Sequence, residues 1–388
     1  MTSAASSPLE LVDAPSTTAE VSAFLPRLST ALEGEAPLLA LPRSGPERER
    51  LQELAQGVAV ARDIALVVPT SGSTGHPRLA LLSAAALRAS ADSTHTALGG
   101  PGRWLLALPT THIAGLQVLI RSLRSGLEPV VVSDSDGFTA TSFVDAVGSL
   151  DVASSEPPHY TALVPTQLQR LLNDGAAVEA LWQLDAVLVG GAAASTELLA
   201  RASASGVTVV TTYGMTETCG GCVYDGVPLP GVDIAIADDR RISIAGPVLF
   251  DGYLNAQHSP VINGWFSTAD LGRIVDAVLH VDSRADNVIT SGGVKVPAEA
   301  VEQVVLDMPG INAVVVVGVP DAEWGEHVVA VVAADVAIAL DAVRAVCLDK
   351  LPREWLPRDV LTLESLPMLP SGKPDRAAIQ HIAGQLAR

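Results

Sequence analysis

Residues 64–78, IALVVPTSGSTGHPR, set hydroxyls at Thr70, Ser71, Ser73 and Thr74 beside glycines at Gly72 and Gly75. Glycine lets the backbone approach a ligand, and successive N–H groups with those hydroxyls would donate to phosphate oxygens. The spacing is not that of a Walker loop: the glycines are too close together, and Pro77-Arg78 stands where Lys-Ser/Thr is required. Alone, the stretch reads equally as a triphosphate cradle and as an ordinary Gly/Ser turn after a strand.

A second constellation is TYGMTE, residues 212–217. Tyr213 could stack on a base, Thr216 could donate to a phosphate, and Glu217 could hold a magnesium ion. A surface turn with a buried tyrosine is the plainer reading, but pairing with the glycine loop favours function. His112 follows a Pro-Thr-Thr turn at the expected ligand edge. Asp270 in GWFSTADLG, and Arg284 and Asp286 in SRADN, read singly as turn, ion-pair or linker residues. Lys373, in PSGKPDR, is one of three lysines against 21 arginines. It is either a solvated tail residue or an ammonium delivered to a carboxylate and phosphate, where it would stabilise developing charge. Cys219 and Cys222 have CxxC spacing, but no second pair completes a zinc site. Two small residues in a glycine turn are preferred to a redox pair.

These residues need a scaffold that brings loops together. Short apolar runs at 64–68, 104–108, 129–132, 160–164, 184–189 and 207–211 read as buried strands. Helical stretches lie between them: 84–94 with Ser83 as cap, 113–123, and 165–172. Such alternation predicts α/β layers with largely parallel sheets, whose ligands sit at the strands' carboxyl ends. Residues 1–60 read as an entry region without chemistry. From 227 to 282 the texture turns β-rich, with Asp238-Asp239 as a hairpin turn. Beyond it, Pro297 opens a helix with Val301, Val304, Val305 and Met308 on one face, and an α+β unit follows. The expected division is therefore 1–285 and 286–388.

In order along most of the chain, these motifs resemble the adenylate-forming superfamily of acyl-CoA synthetases, adenylation domains and luciferases. Within it, residues 108–123, 185–195 and 212–232 are most similar to the actinobacterial o-succinylbenzoate–CoA ligases of menaquinone biosynthesis, and the reduced N-terminal region fits that short form. The resemblance implies a large α/β N-terminal domain with a small β-rich part, followed by a small mobile α+β C-terminal domain. It implies ATP, Mg²⁺ and coenzyme A, with o-succinylbenzoate as the carboxylic acid. Thr70, Ser71, Gly72, Ser73, Thr74, Gly75 and Arg78 would then hold the triphosphate. Gly190, Gly191, Ala192, Tyr213 and Gly214 would hold adenine, and Asp270 and Arg284 the ribose. Glu217 would bind the metal, with Thr216, His112 and Lys373 in the chemistry. Asp286 would be the hinge, and Ser291, Gly292 and Gly293 would meet CoA. His112, Arg121, Ser195 and Thr218 are the candidates for the acid. Three positions depart from the family: Arg78 replaces a lysine, and Ala269 and Ser283 replace glycines.

A formal charge of −19 argues against nucleic acid as the main partner. No apolar run approaches ~20 residues, so membrane insertion is not expected. The N-terminus lacks a basic region followed by an apolar core, so a cytoplasmic protein is expected; a homo-oligomer is left open. Competing functions are ligation of another aryl or acyl acid, loading of a carrier protein, and a degenerate nucleotide-binding scaffold.

Overall fold

The computed structural model describes residues 6–70, 78–133, 137–150, 157–369 and 374–386. The chain forms two compact units: Met1–Ala194 with Leu198–Ala235 and Ser243–Ser267, and Ser195–Glu197 with Ile236–Ile242 and Thr268–Arg388. Residues 268–285 thus pack with the second unit, and the β-rich stretch from 227 is shared between the two.

The first unit contains a seven-stranded sheet in the order Val227–Pro228, Gly220–Tyr224, Val209–Met215, Ala186–Val189, His159–Leu163, Arg103–Leu106, Val130–Val131. Its five strands from Val209–Met215 onward are parallel. Strands such as AVLV and HYTAL are buried throughout, which explains their unbroken apolar character. From Arg103–Leu106 the chain steps to Val130–Val131 on one side, then returns to His159–Leu163 on the other. In open sheets of this kind ligands bind at such a reversal, outside the carboxyl ends of Arg103–Leu106 and His159–Leu163. Helices Ala140–Gly148 and Gly175–Leu181, which carry no sequence motif, cover one face through Phe143, Val147, Ala177 and Leu181.

The second sheet of this unit corrects the reading of residues 1–60 as a mere entry region. Glu10–Asp13 and Leu38–Leu41 pair in parallel and join Ile64–Thr70 and Arg78–Ser83. The strand before the glycine loop is therefore central and wholly buried. Helix Thr18–Leu32 packs Val21, Phe24, Leu25 and Leu28 inward behind a Thr17/Glu20 capping box. Ser83 precedes helix Ala84–Ala97 as expected, but its side chain makes no capping bond; Ala84 N donates instead to the Asp63 carbonyl at 2.9 Å.

In the second unit, strands Ala313–Asp321 and Gly325–Ala333 form an antiparallel pair. The valine run is buried on both faces: Val314 and Val316 meet helices Ala298–Leu306 and Leu340–Lys350, while Val315, Val317 and Val319 meet helix Arg376–Leu386. Each such valine contributes about 1.5–3 kcal/mol by leaving water. Val301, Val304 and Val305 face this core as their spacing predicts, and Met308 packs partly buried against it.

Candidate active site

Loops of the first unit leave the parallel sheet at its carboxyl edge. One ends at His112, the N-cap residue of helix Ile113–Ser125. Another is Gly190–Ala192, beside the end of Val209–Met215 because Val189 pairs with Thr211. A Cβ on Gly190 would lie 2.1 Å from Thr212 Oγ1, so only glycine permits this approach. Gly214 is equally constrained, its Cβ position being 2.1 Å from the Gly220 carbonyl. A β-bulge between Tyr213 and Gly214 re-aims the strand as it enters the turn Thr216–Thr218.

That turn is fixed from below. Thr218 is fully buried; its Oγ1 accepts from Met215 N at 2.9 Å and lies 2.7 Å from the Gly220 carbonyl. The hydroxyl is thus engaged within the turn rather than presented to an acid. Cys219 adopts a left-handed backbone (φ 52°), and its carbonyl accepts from Ser90 Oγ and Gln117 Nε2 at 2.9 and 2.8 Å. Burial pushes the Cys219 and Cys222 thiols well up, and both cysteines are free, so the CxxC pair is packing.

Glu217 is buried, and its Oε1 accepts from Tyr253 Oη at 2.6 Å. Tyr253 comes from the short strand Gly252–Tyr253, which pairs with Arg78–Ser83 at Tyr253↔Ala80. The exposed Arg78 lies with its guanidinium carbon 4.1 Å above the tyrosine ring. Burial, then the Glu217 charge, push the Tyr253 phenol well above its usual range, so it stays a donor. Sequence reasoning missed Tyr253, since nothing in its neighbourhood signals the partner. The geometry also accounts for arginine at 78: a planar guanidinium stacks on an aromatic face better than an ammonium. Thr70 and Arg78 face each other across the hairpin, and Thr70 Oγ1 is buried with no hydrogen-bond partner among the described residues. Ser71, Gly72, Ser73, Thr74 and Gly75 lie outside the described residues.

Arg121 is 4% exposed, with Nη2 3.5 Å from Tyr224 Oη and its guanidinium carbon 4.9 Å from the Trp104 ring centre. Its Nε has no hydrogen-bond partner, and among the described residues no carboxylate pairs with it. Burial lowers its pKa. Nine residues separate it from His112, about 13 Å along a helix and half a turn round it, so the two do not share a face.

In the second unit, Asp270 and Arg284 are register partners on adjacent antiparallel strands. Arg284 Nη1 donates to Asp270 Oδ1 at 3.0 Å, and Nε and Nη2 donate to Asp286 at 2.9 and 2.8 Å. Asp286, then the Asp270 charge, raise the guanidinium's already high pKa. Ala269 and Ser283 are absent from the left-handed positions, so replacing glycine there strains neither strand. Gly292 and Gly293, both at positive φ (57° and 80°), form a two-residue turn after Ser291. Gly292 N donates to the Trp324 carbonyl at 2.8 Å, and a Cβ there would meet the indole at 2.6 Å. Ser195 stands just before helix Thr196–Ala204. Lys373 lies outside the described residues, but a Met368↔Pro374 bridge and Asp375 N donating to the Pro367 carbonyl at 2.9 Å fix its flanks.

Among the described residues, no group of three or more His, Cys, Asp or Glu could hold a metal by itself, and no helix is long and apolar enough to cross a membrane. A metal at Glu217 would need oxygens from a ligand. The carboxylate fits that role, having one oxygen tied to Tyr253.

The model of the AMP-binding enzyme family matches residues 10–254, and that of the AMP-binding enzyme C-terminal domain matches residues 300–373. A Mycobacterium tuberculosis protein named as a probable 2-succinylbenzoate–CoA ligase is 43% identical over 372 residues, covering 93% of this chain and 96% of the relative. Among solved structures, a variant of E. coli MenE with bound OSB-AMS superposes with a TM-score of 0.77 at 27% identity, covering 97% of this chain and 88% of that one. The o-succinylbenzoate CoA synthetase of Bacillus subtilis, in complex with the acyl-adenylate intermediate OSB-AMP, gives 0.71 at 25% identity, covering 96% and 78%.

Proposed function

The chain belongs to the AMP-binding enzyme family, and from that premise we propose that it is an ATP-dependent o-succinylbenzoate–CoA ligase of menaquinone (vitamin K2) biosynthesis, acting in the cytoplasm. One observation carries the choice of acid: 93% of the chain aligns with 96% of a relative bearing the 2-succinylbenzoate–CoA ligase name.

Two half-reactions follow. A carboxylate oxygen of the acid attacks the α-phosphorus of ATP, the bond to the β-phosphate oxygen breaks, and diphosphate leaves. The sulfur of coenzyme A, having lost its proton, then attacks the acyl carbonyl and AMP leaves with the bond's electrons. Arg78, Thr70 and residues 71–75 receive the triphosphate, Gly190–Ala192, Tyr213 and Gly214 the adenine, and Asp270 with Arg284 the ribose hydroxyls. Thr216 donates to a phosphate oxygen, and Lys373 offsets the charge that grows between carboxylate and α-phosphate. Glu217 would hold Mg²⁺, which when bound lowers the negative charge of the phosphate oxygens. Asp286 serves as hinge between the two half-reactions, and Ser291–Gly292–Gly293 receives the thiol arm.

The acid carries a second carboxylate that needs a cation away from the chemistry. Arg121 suits it, being buried and without a carboxylate partner among the described residues. His112 sits nearer the reacting end, and Ser195 is a weaker contributor; Thr218, whose hydroxyl is engaged within its own turn, takes no part. Mass analysis of the products tests the function: o-succinylbenzoyl-CoA, AMP and diphosphate are expected in equal amounts. Transfer to a carrier protein but not to CoA would overturn it.

A further inference from the structure

The Glu217 side chain has three rotatable bonds and projects from the middle of the turn Thr216–Thr218, yet two other elements decide where its carboxylate points. The backbone beneath it is fixed: the Glu217 carbonyl accepts from Phe250 N at 3.0 Å, and Thr218 and Cys219 are held as described. The side chain is fixed by Tyr253, whose hydroxyl reaches Oε1 at 2.6 Å. The tyrosine ring has its own supports. Phe250 packs edge-on at 4.9 Å between centroids, and Arg78 covers the ring at 4.1 Å. Gly252, at φ 131°, gives the backbone conformation that brings the tyrosine beside strand Arg78–Ser83.

We propose that Tyr253 is a positioning residue for the metal-holding carboxylate of Glu217, and that Arg78 sets the plane of the Tyr253 ring. This rests on the reading of Glu217 as the magnesium ligand. The phenol takes one carboxylate oxygen and leaves the other for a cation held jointly with phosphate. Arg78 closes the strand pair that flanks residues 71–77, so one end of that hairpin and the metal carboxylate share an aromatic ring. Arginine does this with a flat cation; lysine would keep the charge but not the stacked plane.

The test uses the full-length protein and Mn²⁺ as the metal probe, with free Mn²⁺ read by electron paramagnetic resonance in the presence of α,β-methylene-ATP. Tyr253→Phe keeps the ring and its packing, and is expected to weaken Mn²⁺ binding about tenfold, the loss of one hydrogen bond to a charged group. Its melting temperature should shift by less than about 3 °C. Arg78→Lys should weaken Mn²⁺ binding about threefold, and Glu217→Gln more than either. Wild-type Mn²⁺ affinity in Tyr253→Phe, with Glu217→Gln impaired, overturns the proposal and leaves the metal reading standing. Wild-type affinity in Glu217→Gln overturns both. An equal loss of metal-free nucleotide affinity in Tyr253→Phe, measured by calorimetry, marks a general structural role and also overturns the proposal.

Discussion

Arg284 and Asp286 form a two-point ion pair, Nε to Oδ1 at 2.9 Å and Nη2 to Oδ2 at 2.8 Å. The residue assigned to the ribose and the residue assigned to the hinge are therefore one unit, with Asp270 on the third guanidinium nitrogen. Asp286→Asn keeps the shape but removes the charge. Both side chains are partly exposed, so stability should fall by no more than about 1 kcal/mol. The KM for ATP should nevertheless rise about fivefold, because Arg284 loses its main orienting partner. Steady-state kinetics at varied ATP checks this; an unchanged KM would separate hinge from ribose.

Arg121 makes a contrasting prediction. A buried cation with no paired carboxylate costs desolvation that the fold does not recover. Arg121→Met should therefore melt at the wild-type temperature or above. Its KM for the diacid should rise about 10–100-fold while the KM for ATP stays level, the loss of a charge-assisted contact to ligand. A lower melting temperature with an unchanged diacid KM would mean Arg121 serves packing alone.

Next to this arginine, burial first and the Arg121 charge second lower the His95 pKa from 6.5 to about 4. Arg124 lowers it further, Asp92 opposes, and Ser125 Oγ lies 3.4 Å from Nε2. The native state then binds fewer protons than the unfolded chain between these values. Stability is complete above pH 6.5 and falls as the pH drops through 6.5 to about 4. His95→Gln should flatten that limb in melting curves taken across the window. A curve as steep as wild type would place the acid sensitivity elsewhere.

Lys373 should act in one half-reaction only. Lys373→Ala is expected to reduce acid-dependent ATP–diphosphate exchange by at least about 100-fold, a loss of transition-state charge stabilisation. It should leave thioester formation from supplied acyl-adenylate within about threefold. Equal losses in both would contradict a lysine used only for adenylation.

The segments that carry the candidate site were legible because they are local. TYGMTE, the Asp270 and Arg284 motifs and the strand–helix alternation are carried by short segments whose glycines and charges act where they stand. What escaped the sequence was non-local. Tyr253 meets Glu217, 36 residues away, only because a two-residue strand pairs at Tyr253↔Ala80, and no periodicity encodes that register. Leu38–Leu41 was hidden similarly: four buried residues in a Pro- and Ser-rich region gain meaning only beside Ile64–Thr70. The departures at Ala269 and Ser283 looked like altered loops and are ordinary strand positions.

The most direct measurement is acid-dependent ATP–diphosphate exchange across a panel containing o-succinylbenzoate, benzoate, succinate and fatty acids. Exchange should be strongest with o-succinylbenzoate, at least about 100-fold above benzoate in kcat/KM, since benzoate lacks the second carboxylate that Arg121 is proposed to bind. Equal or better exchange with a monocarboxylate would contradict the assignment of this acid, and no exchange with any acid would contradict carboxylate activation itself.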